Sequence, residues 1–73
     1  MERVKITQKA LLLMAKNLKA IDISTTEINT EESSQFDCIA ISVGLYGING
    51  AIFENKGKYY FIKGRTANLF RLL

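Results

Sequence analysis

Residues 36–63 read FDCIAISVGLYGINGAIFENKGKYYFIK, and this stretch decides the fold. Ile39, Ile41 and Val43 alternate with Ala40 and Ser42, the period-two pattern of a half-buried strand. Asn49-Gly50 stands between Tyr46-Gly47-Ile48 and Ala51-Ile52-Phe53. An Asn-Gly pair suits the two positive-φ positions of a type I′ hairpin turn, so the chain is expected to reverse there. Asn55-Lys56-Gly57 marks a second turn, and Lys58 to Lys63 a third strand rich in aromatic residues. The expectation is a meander of three antiparallel strands.

Working outward, the segment before this stretch reads as a helix. Thr7 is a suitable N-cap, and Gln8 to Lys19 contains strong helix formers without glycine or proline. At about 100° per residue, Ala10, Leu11, Met14 and Leu18 share one side. Lys5, Lys9, Lys16 and Lys19 gather on the other, with Leu12 out of pattern among them. Residues 24–35 are polar and acidic and predict a mobile loop, with Ile21-Asp22-Ile23 or Thr26-Glu27-Ile28 offering a short strand before its most polar part. Downstream, Gly64 breaks the third strand and Thr66 caps a last short helix from Ala67 to Leu73. A fully buried strand is the alternative for that segment. The predicted class is α+β: an N-terminal helix packed on a three-stranded antiparallel meander, with a short C-terminal helix or strand, in one small domain spanning 1–73.

Composition limits the chemistry. Of 73 residues 48% are hydrophobic and 23% charged, with one cysteine, no proline and no histidine. A chain this short buries only about 60% of its unfolded surface, so its core is marginal without help. Cys38 alone cannot close an internal disulfide, and zinc sites and histidine-based catalysis lack their residue. Carboxylate and lysine chemistry show no signature. The expectation is a non-enzyme without cofactor or metal. Gly44, Gly47 and Gly50 recur every third residue, but no Lys-Ser/Thr pair follows as a phosphate loop requires, so turns and bulges account for them. Glu31, Glu32 and Asp37 lack the spacing of a calcium loop. Cys38 reads as a small apolar strand residue.

The net charge of +3 conceals a basic–acidic–basic layout. Arg3, Lys5, Lys9, Lys16 and Lys19 lie in the first segment; Asp22, Glu27, Glu31, Glu32 and Asp37 form an acidic connection; Lys56, Lys58, Lys63, Arg65 and Arg71 follow. Period-two geometry puts Tyr59, Phe61, Lys63 and Arg65 on one sheet face. Rings beside cations are the pattern of a single-strand nucleic-acid platform, to which Lys58 and the helix lysines Lys9 and Lys16 would add phosphate contacts. The plainer reading is that this face packs under the helix. The stretch departs from the RNA-recognition-motif signature, since Lys58 stands in place of its aromatic and Tyr59 in place of its small residue. A chain beginning with a helix also speaks against that family.

Two function classes result. The first is a small non-enzymatic binding module associated with nucleic acid, a regulator by analogy with the accessory proteins of bacteria and mobile elements. The second is a protein–protein inhibitor or adaptor acting through an apolar sheet edge or the C-terminal segment. Leu69, Phe70, Leu72 and Leu73 add apolar surface to a small body and predict a homodimer. The longest apolar run, Ala10 to Ala15, is too short to span a membrane, and the helix lacks the Trp or Phe of an interfacial anchor. A single cysteine suits a reducing compartment, so a cytoplasmic protein with no membrane partner is expected.

Overall fold

The computed structural model describes residues 3–22 and 36–63. In chain order the elements are β1 (Val4–Ile6), α1 (Gln8–Asn17), β2 (Ile21–Asp22), β3 (Asp37–Gly44), β4 (Gly47–Asn55) and β5 (Lys58–Lys63). The class is α+β, as expected, but the sheet is not a three-stranded antiparallel meander. It is five-stranded and mixed, in the order β1-β3-β4-β5-β2. β3, β4 and β5 pair antiparallel in succession, while β1 adds parallel to β3 and β2 adds parallel to β5. The described chain therefore enters on a strand rather than a helix, which removes one of the two arguments against the RNA-recognition motif. The mismatches at Lys58 and Tyr59 remain. The expected loop at 24–35 and the C-terminal segment from Thr66 lie outside the described residues.

The helix forms where its caps allow. Thr7 is extended, and its hydroxyl accepts a hydrogen bond from the Ala10 amide at 3.2 Å, the N-cap arrangement. At the other end Lys19 takes φ +55°, with Lys19 N–H donating to Lys16 O and Ala20 N–H to Ala15 O. That pair of bonds is a Schellman motif, here with lysine in the left-handed position glycine usually holds. Because β1 and β2 lie on opposite edges, α1 must cross the sheet between them. Its ten residues reach about 15 Å, against about 19 Å between the outer strands of a five-stranded sheet.

Both faces of the sheet are apolar. Under α1, Leu11 and Ala15 pack with Ile39, Ala40, Ile52 and Phe61, and Ile6, Met14, Leu18, Ala20 and Tyr59 fill the margin. The opposite face carries Ile48, Ala51, Phe53 and Ile62, with Phe36, Cys38, Ile41 and Tyr60 around them. The rings of Phe36 and Tyr60 stack there at 4.9 Å. A central strand apolar on both sides loses its alternation, which is why Ala51, Ile52 and Phe53 are consecutive and all buried.

The hairpin turns where the glycines dictate. Gly44 pairs with Gly47, so the β3–β4 turn is Leu45-Tyr46 and not Asn49-Gly50. Neither Leu45 nor Tyr46 has a positive φ; Gly47 supplies it, at +111°. Asn49 is the extra residue of a bulge between the Ser42–Gly50 and Val43–Ile48 pairs, and its carboxamide oxygen accepts a hydrogen bond from the Ser42 hydroxyl. Gly50 lies under the helix, where a Cβ would stand 2.7 Å from Leu11 Cδ2. Reversal at Asn49-Gly50 would have left β4 only the five residues 51–55 before the next turn. Turning at 45–46 gives β4 nine residues, which pair with β3 from Gly47 to Glu54 and with β5 from Gly50 to Asn55. The type I′ turn is the second one, with Lys56 at φ +53° and Gly57 at +80° between the paired Asn55 and Lys58. Glu54 reinforces it by accepting the Gly57 amide at 2.8 Å.

Candidate protein-binding surface

The fold separates the residues singled out for nucleic acid. Tyr59 and Phe61 point to the face that α1 covers; Phe61 is buried and Tyr59 half-buried against the same cluster. Their ring faces are thus engaged in the core instead of lying open for base stacking. Lys63 shares their side of the sheet and is exposed, and its ammonium lies 3.7 Å from Asp22 in an ion pair that ties β5 to the edge strand β2. Lys58 projects to the other face, at the far end of β5, about 17 Å away along the strand. Lys9 and Lys16 are exposed on the outer side of α1, while Lys5 belongs to β1 and not to the helix ridge. Arg65 lies outside the described residues, as do Leu69, Phe70, Leu72 and Leu73. No single described face unites these cations with open rings.

A different feature stands out at the end of the sheet. Leu45 is 90% exposed and Tyr46 74%, the highest values among the large apolar residues described. They occupy the two-residue β3–β4 turn, with exposed Val43 beside them on β3. Turn positions normally carry Gly, Asn, Asp, Ser or Pro, which tolerate both the geometry and the water. Here a leucine and a tyrosine are held outward on a tight loop whose base is set by the Gly44–Gly47 pair. Sequence reasoning missed this pair because Asn49-Gly50 was the stronger turn signal, leaving Leu45 and Tyr46 inside a strand. The clue was the Gly44-x-x-Gly47 spacing, which brackets a two-residue loop.

The tip is well supported. β3 and β4 form its two arms, and Ser42, one of the most buried side chains, locks the bulge residue Asn49 just behind it. Gly44 is part of the same device, since a Cβ on it would sit 2.7 Å from Asn49 Nδ2. β1 runs parallel to β3, so it also ends on this side of the sheet, and α1 starts there. Cys38 is remote from the tip, toward the opposite end of β3, half-buried among the apolar residues of the second face. Burial pushes its thiol above the ordinary value; the charge of Arg3 and a weak bond to Ala40 O oppose this less strongly. That environment suits a packed thiol and opposes a nucleophile.

Among the described residues no helix is long and apolar enough to cross a membrane. No protein-family model matches the chain, and neither the curated proteins nor the solved structures contain a match to it.

Proposed function

We propose that this chain is a small non-enzymatic binding module that works by protein–protein contact, with the Leu45-Tyr46 hairpin tip inserting into an apolar pocket of its partner. The observation that carries the reading is the outward placement of these two side chains, 90% and 74% exposed, on a turn that could have been polar. Fully burying a side chain of this size is worth about 1.5–3 kcal/mol, and tyrosine is favoured at interface hot spots. The short loop on paired strands keeps the ordering cost of docking low. The nucleic-acid reading is second. It retains the exposed cations but has lost the open rings, so what it would predict is salt-sensitive phosphate contact without stacking. A cytoplasmic setting and a homodimer built on Leu69, Phe70, Leu72 and Leu73 are part of the proposal, motivated by the single cysteine and the marginal core.

A photo-crosslinking benzoylphenylalanine at position 46, produced in the source cell, tests the reading, with the same group at position 58 as an exposed control. The expected result is one discrete adduct from position 46 that is protease-sensitive, nuclease-resistant and absent from the control. An adduct removed by nuclease, or adducts equal at both positions, would overturn it.

A further inference from the structure

The outer side of α1 carries a second, independent surface. Lys9, Leu12, Leu13 and Lys16 follow one another at i, i+3, i+4 and i+7, so they line one side of the helix. That side faces away from the sheet, since Leu11 and Ala15 are the buried residues of the same helix. Leu12 is 47% exposed and Leu13 60%, with exposed lysines one turn before and one turn after them. A helix side that merely meets water usually mixes acids with bases at this spacing, because the pairs stabilise it. α1 contains no acidic residue, and neither Lys9 nor Lys16 has an ion-pair partner among the described residues. Two leucines between two lysines form an apolar spot with a positive rim.

From this pattern we infer that the outer side of α1 docks an acidic amphipathic helix of another protein, one whose apolar residues meet Leu12 and Leu13 and whose carboxylates meet Lys9 and Lys16. Charge selects this occupant. A second copy of the chain would set lysine against lysine whether the helices ran parallel or antiparallel, and like charges in register oppose association. An anionic lipid surface would satisfy the lysines, but two leucines with no aromatic residue on the helix give little to insert. Two lysines about 10 Å apart along the helix axis match carboxylates two turns apart on a partner helix. Helix-on-helix recognition with apolar anchors at i, i+3 and i+4 is an established mode of peptide binding. This surface does not depend on the hairpin tip.

The test uses the full chain and a fluorescein-labelled peptide of about 18 residues, long enough to be helical, with leucines at i, i+3, i+4 and i+7 flanked by glutamates. The acidic peptide should bind by anisotropy with a Kd below ~100 µM in low salt, and a peptide with lysine for each glutamate should not. Leu13→Asn should weaken binding about tenfold, the scale of one lost apolar anchor, while leaving the far-UV circular dichroism unchanged. Lys9→Glu with Lys16→Glu should abolish binding of the acidic peptide and confer binding of the basic one. The Leu45→Ser, Tyr46→Ser variant should bind the acidic peptide as the parent does, which separates this surface from the tip. Failure of the acidic peptide to bind, equal binding by Leu13→Asn, or no exchange of preference on charge reversal would overturn the inference. So would binding to phosphatidylserine vesicles or to a single-stranded oligonucleotide through these residues in place of the peptide.

Discussion

Gly50→Ala is the substitution on which the fold makes its sharpest demand. In a hairpin turn at Asn49-Gly50, alanine would suffer from backbone strain at positive φ. In the observed fold Gly50 is a strand residue without positive φ, and the added methyl would lie 2.7 Å from Leu11 Cδ2, 3.3 Å from Ser42 Oγ and 3.6 Å from Ile62 O. Leu11 is only 1% exposed and packs in the core cluster with Ile39, Ile52 and Phe61, so withdrawing it disturbs those neighbours. Overpacking of this kind costs about 1–3 kcal/mol, while replacing a strand glycine by alanine returns about 0.5–1 kcal/mol of backbone entropy. The net cost lies within about 0–2.5 kcal/mol and centres on ~1 kcal/mol, a fall in Tm of several degrees for a domain of this size. The mechanism is separable by a double-mutant cycle in urea, followed by circular dichroism. Leu11→Ala alone should cost about 2–5 kcal/mol as a cavity. In the Gly50→Ala background it should cost less by at least about 0.5 kcal/mol, because the two changes share one space. Additive costs would refute the claim that Leu11 and Gly50 meet, and with it the seating of α1 on the sheet.

Other outcomes are open to simple measurement. Lys19→Gly should stabilise the chain by about 1 kcal/mol in a thermal melt, since lysine holds φ +55° in the Schellman motif; a loss of stability would place the helix end elsewhere. Gly57→Ala should cost about 1 kcal/mol by conformation alone, because φ is +80° and a Cβ would meet nothing within 4 Å. With burial raising the Cys38 pKa, the folded chain holds its thiol proton where the unfolded chain loses it. The associated stability is therefore complete below the unfolded thiol's pKa and declines as pH rises through the folded one. Alkylation of Cys38 should accordingly be slow at neutral pH and much faster in urea, and equal rates would show an open thiol. Light scattering at high micromolar concentration should give a dimer mass; a monomer would remove the homodimer proposed from Leu69, Phe70, Leu72 and Leu73.

Local chemistry alone was enough for part of this molecule. Thr7 followed by an uninterrupted run of helix formers specifies α1 and its start, because capping and propensity act over a few residues. Asn55-Lys56-Gly57 specifies its turn for the same reason, as does the β texture of residues 36–63. The absence of histidine settled in advance which chemistries had no residue to perform them. Register was decided elsewhere. Asn49-Gly50 is the better turn dipeptide in isolation, yet the chain turns at Leu45-Tyr46, where two long arms form and Leu11 can rest on Gly50. β1, only three residues long, shows no period, while the short strand that Ile21-Asp22-Ile23 offers does form, as β2 over Ile21–Asp22; the edges of β3 and β5 decide where each of them pairs. Which side of β5 lay under α1 was likewise invisible until the helix crossing was known, and that crossing buried Phe61 and left Leu12 and Leu13 outside. Propensity and capping act between near neighbours, but pairing and coverage depend on residues distant in sequence, and only the assembled sheet brings those together.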